Sequence, residues 1–203
     1  LNRLALIYKE TWQYEKAEPL FEEALEIRKK VLGEDHPDFA SSLYNLALLN
    51  RINGKLLKAD SMIQRVIAIR KKLLGINHPD YAAAISGLGF TRSLRGLHQE
   101  AEQLYLQALE IRKNSLGVKS PDYPSTLVVL AKLYSITGQH DKSGAFAMLN
   151  CTAYLEKVGR SFAIFSESEK RAYLENNSDI LRVNHSFLFS HRDHSPAYYL
   201  NIY

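Results

Sequence analysis

A short phrase that recurs at a constant interval constrains the fold of this chain more than any other feature. Residues 32–38 read LGEDHPD, residues 74–80 read LGINHPD and residues 116–122 read LGVKSPD, so the period is 42 residues. A fixed period of roughly 20 to 50 residues is typical of solenoids, in which each unit packs mainly on its neighbours. We therefore predict a repeat array and not a domain with one central core.

Within one period, the apolar residues predict two helices. Pro37 fits the first position of a helix, where its missing N–H costs nothing, and Asp38 places an anion near the positive end of the helix dipole. Leu46 and other apolar residues follow at helical spacing until Gly54, which is suited to end the helix. A second amphipathic stretch then runs to Gly75. Each unit is therefore expected to be a helical hairpin.

The residues just before the first helix of each unit predict N-caps. His36 and His78 precede prolines at equivalent positions, and Ser120 stands in the same place in the next unit. Because serine would replace a metal ligand or a base poorly, we interpret both histidines as structural caps. Pro124 falls in the first turn of the fourth unit, so we expect that helix to begin late, with Asp122 as its cap.

Several phrases resemble the tetratricopeptide repeat (TPR) of the kinesin light chain type. They are residues 45–47 (NLA), residues 101–105 (AEQLY) and residues 108–112 (ALEIR). The resemblance implies an all-α fold, a right-handed TPR superhelix or α-solenoid, with a C-terminal helical capping or linker segment. We expect TPR units at residues 1–32 (truncated at the N-terminus), 33–74, 75–116 and 117–159, then an aromatic helical cap or linker at residues 160–203, truncated at the C-terminus.

Small residues at a fixed position predict close helix crossings. We expect an alanine of the second helix to leave room for a leucine of the first helix in each unit. The alanines are Ala17, Ala59 and Ala101, and they are expected to leave room for Leu4, Leu46 and Leu88 and their neighbours.

The last part of the chain resembles the segment that joins TPR repeats to the caspase-like CHAT domain of bacterial TPR-CHAT proteins. The phrases are residues 165–170 (FSESEK), Tyr173-Leu174 and residues 195–198 (SPAY). Ser166 and Glu169 form a capping box that predicts a helix over about residues 167–175, and further helices are expected at 178–189 and from 195. The peptidase itself would lie beyond this sequence, and the resemblance carries no catalytic residue into it.

The sequence predicts neither catalysis nor a cofactor. No recognised nucleophile, phosphate-loop or zinc-protease motif occurs, and His185, His191 and His194 are interpreted as part of a polar loop and not as a metal site. We therefore expect a protein that is not an enzyme, with no catalytic, cofactor-binding or metal-binding residues. The lone Cys151 fits a reducing, cytoplasmic location, and no apolar run is long enough to predict a membrane span.

The net charge of +4 could indicate nucleic acid, but its distribution disfavours that interpretation. The basic residues recur in the last turn of the second helices, at residues 28–30, 70–72 and 112–113. Cations there complement the negative end of the helix dipole. We keep nucleic-acid binding through a basic face only as a third alternative.

The first helices of TPR units are expected to line a concave face that binds a protein or an extended peptide. The candidate residues are Arg3, Leu6, Lys9, Asn45, Leu48, Arg51, Phe90, Ser93, Val128, Val129 and Lys132. Their mixture of cations and apolar groups suits a peptide with acidic side chains and apolar anchors, whereas a small-molecule substrate and a membrane are not expected.

Two details qualify the comparison with kinesin light chains. Asparagines that hold a peptide backbone in that family correspond here to Asn45 alone, because Arg3, Gly87 and Val129 fill the equivalent positions. We also hypothesise that Gly87 and Gly89 widen the groove beside Phe90.

These observations together predict a non-catalytic protein- or peptide-binding scaffold. The favoured context is the sensing or regulatory arm of a larger bacterial TPR-CHAT-like protein, and the alternative is a free-standing adaptor that bridges two proteins.

Overall fold

The computed structural model describes the backbone of residues 1–162 and the side chains of residues 1–153. Over that range the fold is all-α, as predicted, and no strand occurs in it. The helices are α1 (Asn2–Glu10), α2 (Tyr14–Leu32), α3 (Pro37–Ile52), α4 (Leu56–Leu74), α5 (Pro79–Leu94), α6 (His98–Leu116), α7 (Asp122–Ile136) and α8 (His140–Phe162). The helices predicted over 167–175, over 178–189 and from 195, and the three histidines of the predicted polar loop, lie outside the described residues.

The chain divides into two compact units. The first unit, Leu1–Gly117, contains three helical hairpins, α1–α2, α3–α4 and α5–α6. The second unit begins at Val118, and its described part is the hairpin of α7 and α8. Helices α1, α3, α5 and α7 are the first helices of the hairpins, and α2, α4, α6 and α8 are the second helices.

The predicted histidine caps are confirmed. His36 Nδ1 accepts a hydrogen bond from the Asp38 backbone N–H at 3.1 Å, and His78 Nδ1 accepts one from Asp80 at 3.1 Å. Each bond satisfies one of the N–H groups that a helix leaves without an internal partner. Proline at the next position then begins the helix in each case.

The start of α7 differs from the prediction in one respect. This helix does begin one residue later than its counterparts, but Asp122 is its first residue and not its cap. Pro121 occupies the cap position, and the Asp122 backbone N–H lies 3.4 Å from Ser120 Oγ, the group that replaces the histidine. Asp122 can enter the helix because Pro121 already has helical backbone angles.

The turn between the two helices of a hairpin requires a left-handed residue, and one hairpin fills that position with tryptophan. Gly54 has φ 74° and Gly96 has φ 79° at this position, which glycine adopts without steric cost. Trp12 holds the same position in the first hairpin with φ 61°. Among the residues that the structure describes, it is the only non-glycine residue with positive φ. Its backbone is therefore strained.

The core of the first unit is made between consecutive hairpins. Phe21 of α2 is buried in one cluster with Ala17 of the same helix and Leu46 of the following first helix. Ile63 of α4 is buried in the next cluster with Leu88 of α5. The apolar residue in the middle of α2 and of α4 thus supports the first helix that follows it.

The expected close packing is confirmed at Ala17, which is buried in one cluster with Ala5, the neighbour of Leu4, and with Leu46 of the following hairpin. Leu4 is 43% exposed, whereas Leu46 and Leu88 are 2% and 4% exposed. Leu46 and Leu88 each pack on the second helix of the preceding hairpin.

The basic last turns of the second helices do more than complement the helix dipole. Arg28 Nη1 donates to the Asp38 backbone carbonyl at 2.8 Å, and Arg70 Nη1 donates to that of Asp80 at 2.7 Å. Each arginine thereby ties its second helix to the start of the next first helix. The interpretation based on the dipole alone was incomplete, because sequence spacing does not reveal this contact between successive hairpins.

In the second unit, α7 and α8 pack through apolar and polar contacts. The rings of Tyr134 and Phe146 are stacked with centroids 5.4 Å apart, and Ser143 Oγ donates to the Ala131 carbonyl at 2.9 Å. Helix α8 continues through Gly159 and crosses the unit boundary expected there. Beyond residue 162, the aromatic helical cap or linker expected at residues 160–203 lies outside the described residues.

Cys151 of α8 is a buried free thiol, and burial raises its pKa. Such a thiol is a weak nucleophile at neutral pH. None of the helices in the described range is long and apolar enough to cross a lipid bilayer.

Candidate binding face

The predicted binding residues fall on the first helices of the hairpins, and we call those of the first unit the first-helix face. Arg3, Leu6 and Lys9 lie on α1; Asn45, Leu48 and Arg51 on α3; Phe90 and Ser93 on α5; and Val128, Val129 and Lys132 on α7. Most are half-buried, and Arg3, Val128 and Lys132 are exposed. The eight residues of α1, α3 and α5 belong to the first unit and the three of α7 belong to the second.

Arg51 and Phe90 form the contact that joins α3 to α5 on this face. The guanidinium carbon of Arg51 lies 4.5 Å from the centroid of the Phe90 ring, which is within the range of cation–π attraction. Arg51 Nη1 also lies 3.5 Å from the backbone carbonyl of Gly87, one turn before Phe90. The structure therefore brings together two side chains that the sequence had assigned separately to the face.

Arg51 differs from the other arginines of α2 to α5 in its hydrogen bonding. Arg28 and Arg70 donate to main-chain carbonyls at 2.8 Å and 2.7 Å, and Arg65 forms an ion pair with Glu34. The contact of Arg51 with Gly87, at 3.5 Å, is at the limit of a hydrogen bond. Within the part of the chain that the structure describes, Arg51 forms no ion pair.

The arginines near the end of α5 are neutralised internally. Asp60 of α4 is almost fully buried, and its Oδ2 lies 2.6 Å from Arg95 Nη1 and 3.5 Å from Arg92 Nε. Arg92 also forms an ion pair with Glu100 at 2.6 Å. These cations hold successive hairpins together. They therefore attract an external anion less strongly than the same number of unpaired cations would.

Burial affects the electrostatics of Arg51 as well. Desolvation lowers the pKa of its guanidinium, while the neighbouring Tyr44 and Tyr105 act in the opposite direction. The guanidinium remains charged at neutral pH, since its ordinary pKa is far above that range. Arg51 is thus a partly desolvated cation, and most of its five N–H donors have no acceptor among the described residues.

Gly87 does not widen the groove as hypothesised. A Cβ at this position would lie 2.5 Å from the hydroxyl oxygen of Tyr44, so the missing side chain makes room for that tyrosine. Tyr44 donates from its hydroxyl to the Ala83 carbonyl at 3.2 Å, and the Arg70 guanidinium lies 5.0 Å from its ring centroid. The space beside α5 is filled from within the chain.

Gly89 likewise admits an internal aromatic ring and not a ligand. A Cβ here would lie 3.1 Å from ring carbons of Tyr105, which comes from α6 of the same hairpin. Tyr105 is buried, and burial raises its pKa. The hypothesis that both glycines enlarge the groove is therefore wrong, because helix α5 uses them to approach bulky neighbours.

Sequence reasoning missed two apolar residues on the first-helix face. Ile52 is 47% exposed and lies four residues after Leu48, and Leu94 is 51% exposed and lies four residues after Phe90. Residues at this spacing share one face of a helix. The periodicity could have identified both residues, because each follows a candidate residue by four positions on the same helix.

The remaining members of the face have different surroundings. Leu6 packs partly against the cluster that contains Ala17 and Phe21, so it contributes to the core as well as to the surface. Asn45 is half-buried, and its role in holding a peptide backbone stays a prediction. No group of three or more histidine, cysteine, aspartate or glutamate side chains in the described residues is arranged to hold a metal ion.

Comparison with protein families identifies the repeats. The model of the tetratricopeptide repeat matches three overlapping stretches, residues 1–72, 38–114 and 80–147. The chain belongs to the tetratricopeptide repeat family. The predicted fold class, an all-α TPR solenoid, is thereby confirmed for the matched repeats. A search of curated proteins found no match.

Several solved structures share this fold. A putative kinesin light chain from Podosopora anserina with nearly identical TPR-like repeats is 21% identical, with a TM-score of 0.67 and coverage of 95% of each chain. BtubC (BKLC) from P. vanneervenii is 22% identical, with a TM-score of 0.71 and coverage of 78% of this chain. This chain spans 63% of the length of BtubC. The apo form of RapI is 14% identical, with a TM-score of 0.68 over 93% of this chain and 67% of RapI.

Proposed function

We propose that this TPR chain is a non-catalytic scaffold that binds a protein or an extended peptide on its first-helix face. The TPR fold is consistent with a protein-interaction scaffold, and TPR scaffolds are generally non-catalytic. The proposed partner carries acidic and apolar side chains. Cations on the face would speed its approach, and apolar residues would anchor it.

The observation that carries the proposal is the Arg51–Phe90 contact. It places a cation and an aromatic ring, 4.5 Å apart, between two consecutive first helices. Phe90 is half-buried and Leu48 of α3 is half-buried, so apolar surface adjoins the cation. Arginine and aromatic residues are the types that most often dominate binding energy at protein interfaces.

The charge pairing supports a protein partner over nucleic acid. Lys29 and Arg65 both pair with Glu34, and Lys72 pairs with Asp35 at 2.6 Å. Much of the positive charge is therefore balanced within the chain. Nucleic-acid binding would show a steep fall in affinity as salt is raised, because each phosphate contact releases counterions.

We further propose that the repeats are of the 42-residue kinesin light chain type and belong to the sensing or regulatory arm of a larger, cytoplasmic TPR-CHAT-like protein of bacteria. The support is the sequence resemblance of residues 165–170 and 195–198. The intact mass of the native protein tests this context. A native mass that exceeds 23.1 kDa by at least one domain, located after Tyr203, would agree with this context. A native chain that stops at Tyr203 would favour the free-standing adaptor.

Selection from a random-peptide phage library tests the binding function without a known partner. We expect the immobilised chain to enrich related peptides, and synthetic copies of them to bind in solution. Ser93→Trp should block binding because it adds bulk to the first-helix face, whereas Ser61→Trp on α4 should not. Absence of any enriched peptide, or equal loss with both variants, would contradict the proposal.

A further inference from the structure

The turn between α1 and α2 carries a tryptophan at a position that suits glycine. Trp12 is 79% exposed and has φ 61°, in the left-handed region. A residue with a Cβ adopts this region at a steric cost, which Gly54 and Gly96 avoid at the equivalent turns. Strained backbone positions of this kind cluster at functional sites. The exposed indole is therefore a candidate contact for a ligand.

The hydrogen bonds of this turn do not require the tryptophan. Thr11 Oγ1 donates to a carbonyl in the last turn of α1 at 2.9 Å and accepts from Gln13 Nε2 at 3.1 Å. Thr137 and Gln139 form the same two bonds, at 3.0 Å and 3.1 Å, in the turn between α7 and α8. The residue between them there is Gly138. Since the same bonds form around glycine, the turn itself gives no reason for the indole.

Trp12 and Tyr14 form a splayed pair of aromatic rings. Their centroids are 6.1 Å apart and their planes meet at 60°. Tyr14 also packs against the core cluster that contains Ala17, which holds its ring in place. Neither aromatic side chain of the pair forms a hydrogen bond within residues 1–153, so the indole N–H is available as a donor. The pair thus combines apolar ring faces with a hydrogen-bond donor.

The charges around this pair disfavour an ionic ligand. Residues 9–16 contain two lysines and two glutamates, so their formal charges balance. Lys16 Nζ already lies 5.6 Å from the ring centroid of Tyr8 and donates to Gln13 Oε1 at 2.8 Å. A second cation would be repelled by this lysine, and an anion would meet no excess of positive charge. The surroundings therefore suit a neutral ligand with apolar groups and hydrogen-bond acceptors.

A proline-rich segment has this chemistry. Proline carries an apolar ring and no backbone N–H, and the carbonyls of a polyproline II helix have no internal partners. Such segments bind between aromatic side chains, and their preformed conformation lowers the entropic cost of binding. We propose that Trp12 and Tyr14 form a second binding site, outside the first-helix face, for a proline-rich segment of a partner protein. The indole N–H donates to a carbonyl of that segment.

The fluorescence of Trp12 tests this inference directly, because it is the only tryptophan of the chain. The probe is an acetylated oligoproline peptide, and the control is a flexible Gly-Ser peptide of the same length. We expect oligoproline to shift the emission of the full chain to shorter wavelength in a saturable manner, since packing of proline rings removes water from the indole. The Gly-Ser peptide should cause no shift.

Anisotropy of a labelled oligoproline peptide extends the test to variants without the indole. Trp12→Gly should weaken binding at least about tenfold, because tryptophan is a frequent interface anchor. Trp12→Phe should retain part of the affinity, since it keeps a ring but loses the N–H donor. Leu57→Ala, which truncates an exposed apolar residue of α4, should bind as the wild type does. Thermal unfolding of each variant verifies that it remains folded.

Other outcomes would overturn the inference. Unchanged emission with oligoproline would do so, and equal affinity of wild type and Trp12→Gly would place the proline peptide elsewhere. An emission shift with vesicles of phosphatidylcholine and phosphatidylserine, but not with oligoproline, would show that the indole enters a lipid surface instead. An emission that depends on protein concentration, with no response to oligoproline, would assign the contact to a second copy. None of these results decides the function of the first-helix face, which the library selection tests separately.

Discussion

The guanidinium of Arg51 on α3 lies over the ring of Phe90 on α5, 4.5 Å from its centroid. The ring and the cation belong to consecutive hairpins, so their contact depends on the packing of one repeat against the next. We expect Phe90→Ala to weaken binding of a selected peptide by roughly tenfold, because an interface anchor and the orientation of Arg51 are lost together. Fluorescence anisotropy of a labelled peptide measures the effect.

Leu57→Ala is the matched control for Phe90→Ala, since Leu57 is an apolar residue 71% exposed on the second helix α4. It should leave peptide affinity unchanged. Equal peptide affinity of the wild type and the Phe90→Ala variant would show that Phe90 does not contribute to binding.

Trp12 occupies a backbone conformation that the other hairpins assign to glycine. Its φ is 61°, and the corresponding Gly54 has φ 74°. We predict that Trp12→Gly raises the free energy of unfolding by about 1 kcal/mol, because a left-handed conformation is sterically costly for a residue with a Cβ. The midpoint of thermal unfolding measures the change.

Gly54→Ala provides the converse change at the equivalent turn. No atom lies within 4 Å of a Cβ built there, so the backbone conformation alone determines the outcome. A decrease of about 1 kcal/mol is expected. A Trp12→Gly variant that unfolds at a lower temperature than the wild type would show that packing of the indole outweighs the strain.

The fit between Tyr44 and Gly87 predicts a non-additive pair of substitutions. Gly87→Ala improves helix propensity by about 1 kcal/mol, yet its Cβ would lie 2.5 Å from the Tyr44 hydroxyl oxygen. We therefore expect Gly87→Ala to lower the unfolding temperature in the wild type, and to lower it less in a Tyr44→Phe background. The same decrease in both backgrounds would exclude the hydroxyl as the source of the conflict.

Tyr44 also predicts how stability changes at alkaline pH. Burial raises the pKa of its phenol above the ordinary value of 10.0, so the folded state keeps its proton where the unfolded state loses it. The stabilisation is complete below the unfolded pKa and is lost as pH rises through the folded pKa. Wild type should thus lose stability above pH 10.0 more steeply than Tyr44→Phe, in urea unfolding series measured at each pH. Parallel curves would contradict the assignment.

The histidine cap of α3 predicts a selective response to substitution. His36→Ala should reduce stability by about 1 kcal/mol, because the Asp38 N–H loses its acceptor. His36→Ser should cost less, since Ser120 Oγ lies 3.4 Å from the Asp122 N–H at the equivalent place. Circular dichroism melts would measure both, and equal losses for serine and alanine would show that the imidazole acts through packing.

Most of the fold could be predicted from the residues that recur in each repeat. The Gly33 and Gly75 turns and the prolines that begin α3 and α5 are local signals with a direct backbone cause, so the helix bounds could be inferred closely. The apolar periodicity likewise indicated which positions would be buried, as with Leu46 and Ile63. These properties depend mainly on residues near one another in sequence.

The contacts between successive hairpins could not be inferred in the same way. The Arg28 and Arg70 bonds to main-chain carbonyls and the fit of Tyr44 against Gly87 join residues far apart in sequence. Sequence spacing identifies which residues share a helix face but not which neighbour each one meets. For that reason Gly87 was assigned to an open groove, whereas it receives an internal side chain.

Site-specific photo-crosslinking distinguishes binding of the partner on the first helices from binding on the second helices. A photoreactive benzoylphenylalanine would replace Ser93 on α5 or, separately, Ser61 on α4, and each protein would be irradiated with a selected peptide. We predict crosslinked peptide from position 93 and none above background from position 61. Crosslinking from position 61 alone would place the peptide on the second helices and contradict binding on the first-helix face.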